Sequence, residues 1–128
     1  MKKKDVDKFE GLQAQLKGLY GEIQALARKN PNDALNKFKL GLIKTIIADA
    51  DTFLSDLGHP FKYFQGFEEE TVPSNSDALL VLSQYLSCME KIRADNVTHT
   101  GYNPEEWCWL VDGEDSDIRT APPKKIKE

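Results

Sequence analysis

ALNKFKLGLIKTIIADADTFLSDL, residues Ala34 to Leu57, is the stretch that decides the fold. On a helical wheel at roughly 100 degrees per residue, Leu35, Phe38, Leu42, Ile43, Ile46, Ile47, Ala50, Phe53, Leu54 and Leu57 fill an arc of about 180 degrees. A helix lying on a surface needs a stripe of only about 100 degrees, so this arc requires neighbours on two sides. The stretch, about residues 33–57, is therefore read as the central helix of a bundle. Lys37, Lys44, Ala48, Asp51 and Ser55 form the narrow polar strip that remains. Asp49 falls inside the apolar arc, and a buried carboxylate must be paired, hydrogen-bonded or neutralised. It marks either a functional pocket or an acid at the edge of the arc that reaches a Lys, Arg, Tyr or backbone donor.

Upstream, about residues 5–29, Phe9, Leu12, Leu16, Leu19, Ile23 and Leu26 follow at spacings of 3, 4, 3, 4 and 3. This heptad seam predicts a long amphipathic helix that packs within the chain rather than forming an intermolecular coiled coil. Gly11, Gly18 and Gly21 weaken that helix and are candidate points of close helix approach. Asn30-Pro31-Asn32-Asp33 is a tight junction between antiparallel helices, in which Asn30 either ends the first helix or caps the second. Gly58 followed by Pro60 ends the second.

The connection HPFKYFQGFEEETVPSNS crowds Phe61, Tyr63, Phe64 and Phe67 together and follows them with Glu68, Glu69 and Glu70. It is read as a loop over one end of the bundle, with a docking surface for a partner as the functional alternative. A third helix, about 76–96, starts at Ser74 and Asp77 in capping-box spacing. Ala78, Leu82, Tyr85, Met89 and Ile92 form its main stripe. Leu79, Leu80, Val81 and Leu86 predict a deep first half, and the charges from Glu90 to Asp95 an exposed second half. Beyond it, the alternation at Trp107, Trp109 and Val111, with the turn cluster DGEDSD and Ile118 to Thr120, favours a β-hairpin over about 107–120. A helix starting at Asn103-Pro104-Glu105-Glu106 is the competing assignment. A basic tail, 121–128, follows. The expected fold is mainly α: one domain spanning 1–128, an antiparallel three-helix bundle with an aromatic loop and a small C-terminal β-hairpin.

At 128 residues such a domain can bury a core without staples. The net charge of −4 conceals segregation: residues 1–44 carry 10 basic and 5 acidic side chains, residues 45–117 carry 3 and 15, and residues 118–128 carry 4 and 1. The blocks of +5, −12 and +3 favour a basic partner or self-association, or else simply solvate the surface. They disfavour nucleic-acid binding outside Lys2, Lys3, Lys4 and the tail lysines Lys124, Lys125 and Lys127. The apolar runs are too short for a membrane span, and MKKKDVDKFE lacks the apolar core of a signal peptide. Cys88 and Cys108 are read as free thiols in a reducing cytoplasm, with a disulfide as the alternative.

No metal or cofactor is expected. His59 and His99 stand alone, the cysteines lack metal-ligand spacing, and Asp112, Glu114, Asp115 and Asp117 lack the Gly and Glu a calcium loop requires. No GxSxG, GxGxxG or GxxxxGK[ST] occurs, and a Cys88–histidine pair carries little weight. The chain reads as a small non-enzymatic interaction protein of the cytoplasm: an adaptor, inhibitor or immunity-type binder. Its contact residues are Tyr63, Phe64, Phe67, Glu68, Glu69 and Glu70, with Trp107 and Trp109 as second choice, and its partner is a protein with a basic surface. The rival readings are a self-associating scaffold, possibly a homodimer, and a small-ligand binder or enzyme using Asp49, Tyr85 and the histidines.

Overall fold

Each of the three helical periodicities produces a helix, and the alternation near the C-terminus produces strands. The computed structural model describes residues 1–55, 57, 67, 72–99 and 106–123. Along the chain these form α1 (Lys3–Lys29), α2 (Lys37–Leu54), α3 (Asn75–Asp95), β1 (Val97–His99), β2 (Trp107–Val111) and β3 (Glu114–Thr120). The fold is mostly helical with a small antiparallel sheet. By compactness it divides into two units, Leu12–Cys88 and a second made of Met1–Gly11 with Met89–Glu128.

In the unit Leu12–Cys88, the heptad seam of α1 is buried within the chain at Leu12, Leu16 and Ile23. Gly18 and Gly21, like Gly11 in the other unit, face open space, with no atom within 4 Å of where a Cβ would stand. No close helix approach requires them. The second helix starts later than 33 because Asn36, not Asn30, is its N-cap: the Asn36 carboxamide oxygen accepts from Phe38 N at 2.8 Å and Lys39 N at 3.3 Å. Asn30 instead ends α1, its N–H donating to Leu26 O.

The buried face of α2 is Leu40, Ile43, Ile47, Ala50, Phe53 and Leu54. It is rotated from the arc expected from sequence, and Phe38 and Leu42 are 72% and 45% exposed. Asp49 turns outward with them and is exposed. The whole arc was too wide for the neighbours available, so part of it stays in water.

The start of α3 is fastened to the junction after α1. Leu35 N donates to Pro73 O, Asn75 N to Asp33 O, and Ser76 N to Pro31 O, each at 2.9–3.0 Å. Ala34 and Ser74 form an isolated antiparallel bridge, and Asn75 Nδ2 donates to Asn30 O. The Ser74 hydroxyl caps α3 by accepting from Asp77 N at 3.1 Å, at the spacing read from sequence. Further along both helices, the Tyr85 hydroxyl donates to Asp51. Two contacts in the same order set α2 and α3 running in the same direction. The antiparallel order expected of consecutive helices does not extend to this pair, and the long connection between them is what permits it.

The stripe Ala78, Leu82, Tyr85, Met89 and Ile92 is buried as expected, whereas Leu80 is exposed and the first half of α3 is not deep all round. The second half differs in the opposite sense. Glu90 and Arg93 are buried, and only the Lys91–Asp95 pair conforms to an exposed, charged turn.

The other unit holds the sheet, ordered β1-β2-β3 and antiparallel throughout. The hairpin over 107–120 is present, not the competing helix, and β1 adds a third strand that the sequence reading did not contain. Val111 pairs with Glu114, leaving Asp112-Gly113 as a two-residue turn with φ of 52° and 79°. Positive φ at both positions defines a type I′ turn, whose twist matches that of the strands. The register shifts between Cys108 and Leu110, so that Trp109 faces a bulge on β3. There the Ser116 hydroxyl donates to Trp109 O at 2.6 Å and accepts from Ile118 N at 3.2 Å, replacing lost ladder bonds. The N-terminus is tied to the same hairpin: Asp112 N donates to Met1 O at 3.0 Å.

Candidate functional site

The sequence places its bet on an aromatic and acidic run. Tyr63, Phe64, Glu68, Glu69 and Glu70 lie outside the described residues, and Phe67, which is described, is half-buried. The two tryptophans of β2 have different environments. Trp107 is half-buried, with its ring 5.2 Å from that of its cross-strand neighbour His99 and tilted by 40°. Trp109 is completely buried, packed edge-on against Phe9 at 4.9 Å. It offers a partner nothing, and its role as a contact residue is corrected to that of a core residue. The reason lies in chain order, since residues 1–11 share a unit with β2 and bring Phe9 and Glu10 over it.

Around Trp109 the structure assembles a polar cluster that the sequence did not announce. Glu10 accepts from Trp109 Nε1 at 2.9 Å and from the Thr120 hydroxyl at 2.7 Å. One nitrogen of Arg93, Nη1, donates to both carboxylate oxygens of Glu90, at 3.0 and 3.3 Å, while Nη2 lies 3.8 Å from Glu10. The guanidinium also lies 5.3 Å from the centre of the Phe9 ring, within cation–π range. Arg93 is only 3% exposed, so its charge must be compensated inside the protein, and two carboxylates supply that compensation. Its Nε has no hydrogen-bond partner among the described residues. Such a network of satisfied acceptors and a neutralised cation builds a rigid structural joint. The signal available in sequence was the i, i+3 spacing of Glu90 and Arg93; Glu10 is remote in the chain and could not be paired with them by spacing.

In the other unit, the polar group beneath α2 is Asp51, not Asp49. The buried Tyr85 hydroxyl donates to its carboxylate at 2.5 Å. Burial pushes the Tyr85 phenol well above its ordinary value, and the hydrogen bond to Asp51, the Asp51 charge and nearby Cys88 add to the shift. A phenol held neutral in this way can donate a hydrogen bond but cannot serve as a base near neutral pH. His99 is exposed on β1, and His59 lies outside the described residues. Cys88 is half-buried and Cys108 buried, both as free thiols. Among the described residues, no three His, Cys, Asp or Glu side chains converge as metal ligands. No helix among them is long and apolar enough to cross a membrane.

The fold and these sites define a mostly helical protein with a three-stranded antiparallel sheet and two buried polar joints. No protein-family model matches the chain. No curated protein and no solved structure matches it either.

Proposed function

We propose that this protein is a small, non-enzymatic interaction module of the cytoplasm, an adaptor, inhibitor or immunity-type binder. It engages a protein with a basic surface through Tyr63, Phe64, Phe67, Glu68, Glu69 and Glu70, with Trp107 as a second contact surface. The observation that carries the reading is the coincidence of four aromatic side chains and three consecutive glutamates within residues 61–70, inside a block holding 15 acids and 3 bases. Aromatic anchors supply most of the energy of an interface, while flanking acids set encounter rate and specificity. An antiparallel packing of α1 against α2 belongs to the same proposal.

The test is a pull-down from the native cell extract with nuclease present, comparing the unaltered chain with a variant carrying Glu68→Lys, Glu69→Lys and Glu70→Lys. A specific basic protein is recovered by the first and lost by the second, with the circular dichroism of the two unchanged. Unfolding on substitution of Tyr63, Phe64 and Phe67 would instead make them core residues and defeat the reading.

Self-association is the second reading, and the opposite charge blocks favour it. The heptad of α1 does not, since its seam is buried within one chain. Light scattering at high protein concentration and low salt decides it, a monomer eliminating self-association.

A further inference from the structure

We infer that the open edge of β3 is a docking surface for a second copy of this chain, whose own β3 adds to it antiparallel across a two-fold axis. This gives the self-association reading a surface and rests on that reading, while the aromatic and acidic run is left untouched. The sheet ends at β3, because its order is β1-β2-β3. Register decides which groups of β3 lie bare. Val111 and Glu114 flank a two-residue turn and form a hydrogen-bonded pair, so Asp115, one residue on, directs its N–H and C=O away from β2. Leu110 N donates to Asn96 O on the β1 side, and Cys108, two residues back, faces β1 in the same way. Its partner Arg119 therefore also has its N–H and C=O on the open edge. Among the described residues, no backbone hydrogen bond beyond the β2 ladder reaches Glu114–Thr120. The strand is seven residues long and contains neither the lysine nor the proline that blunts an edge. Its bulge is directed at Trp109, and exposed and half-buried positions alternate without a break from Asp115 to Thr120.

Charge selects the occupant. Asp115, Asp117 and Arg119 are exposed on one face of the strand. A uniformly basic segment would set a cation against Arg119, and an acidic one would set carboxylates against both aspartates. The strand that fits carries base and acid in the reverse order, which is what β3 itself presents when it runs antiparallel. With the Ile118 side chains of the two copies opposite each other on the axis, each Asp117 faces the other copy's Arg119 and each Ser116 the other copy's Thr120. No like charges are then directly opposed. Arg119 gives up its pair with Glu106 at 3.2 Å, which is exposed and costs little to break.

The experiment is sedimentation velocity of the full chain at rising concentration, joined to hydrogen exchange. The unaltered chain is expected to dimerise, with the Asp115 and Arg119 amides gaining protection as concentration rises. Arg119→Asp and Asp117→Arg, each alone, oppose like charges and weaken the dimer at least about tenfold. Mixed in equal amounts, the two variants pair with each other, since both positions are then acidic on one edge and basic on the other. Replacing Lys124, Lys125 and Lys127 by Gln leaves the dimer unchanged. All these positions in β3 are exposed, and circular dichroism verifies the fold. A monomer at every concentration overturns the inference together with self-association. A dimer overturns the inference alone, and leaves self-association on another surface, if the edge amides gain no protection, if the β3 variants leave it unchanged, if their mixture fails to pair, or if the tail substitutions abolish it. Hydrogen exchange of the unaltered chain decides the matter independently of any variant.

Discussion

Tyr85 and Asp51 illustrate how a single hydrogen bond fixes a side chain and its protonation together. Removing the hydroxyl deletes the hydrogen bond to the half-buried Asp51 carboxylate, so Tyr85→Phe is expected to cost about 1–2 kcal/mol, read as a lower urea midpoint at pH 7. Its pH dependence has a definite sign. The folded chain holds the phenolic proton more tightly than the unfolded chain, so this contribution is complete below about pH 10 and is lost as pH rises above that value. Urea titrations at rising alkaline pH should show the unaltered protein losing stability beyond about pH 10 by more than the Phe variant does. Arg93 is the other decisive residue. Deleting it by Arg93→Ala removes the cation paired with the buried Glu90 carboxylate, and chemical denaturation should register about 3–5 kcal/mol, the cost typical of breaking a buried pair from one side.

At the level of elements, sequence and structure agree wherever a periodicity is buried on one side only. The third-helix stripe and the capping-box spacing of Ser74 and Asp77 were legible, and so was the hairpin, but its turn was read as the whole cluster DGEDSD, whereas Asp112-Gly113 alone makes the turn through two positive φ angles and Glu114–Asp117 already belong to β3. Replacing Gly113 with Ala places a side chain at φ of 79°, and thermal unfolding should report a loss of about 1 kcal/mol. In α1 the glycines act in the opposite sense. Gly18 and Gly21 face open space, so Gly18→Ala and Gly21→Ala should each raise stability by about 1 kcal/mol in the same measurement. The start of α2 was misplaced because two asparagines compete as caps, and only the geometry of Asn36, whose side chain reaches two backbone N–H groups, distinguishes them. Strand β1 left no signal because three residues are too few for alternation to be read, and it forms only because β2 provides an edge.

For the whole molecule, one carboxylate joins elements far apart in sequence. Glu10 on α1 accepts from Trp109 on β2 and Thr120 on β3. Glu10→Ala would leave a buried indole N–H and a hydroxyl without acceptors, and hydrogen exchange of the β2 and β3 amides should quicken markedly as the hairpin opens more often. The candidate site is only partly legible by comparison. Its composition was visible as the aromatic and acidic run, and Trp109 was drawn into it because an aromatic in a short strand reads alike whether its face is covered or bare. Asp49 was drawn into a pocket for a related reason: angular position on a wheel places a residue relative to its own helix, not relative to the neighbours.

The amino-acid sequence by itself determined the three helices, the presence of a hairpin, the buried stripe of α3 and the segregation of charge, because each depends on spacing or composition within a short span. Tertiary structure alone decided which part of the α2 arc is covered, that α2 and α3 run in the same direction, that Glu90 and Arg93 are buried, and that Asp51 rather than Asp49 meets Tyr85. These depend on which surfaces meet after the chain has folded back. A burial face is set by the neighbour as much as by the helix that carries it.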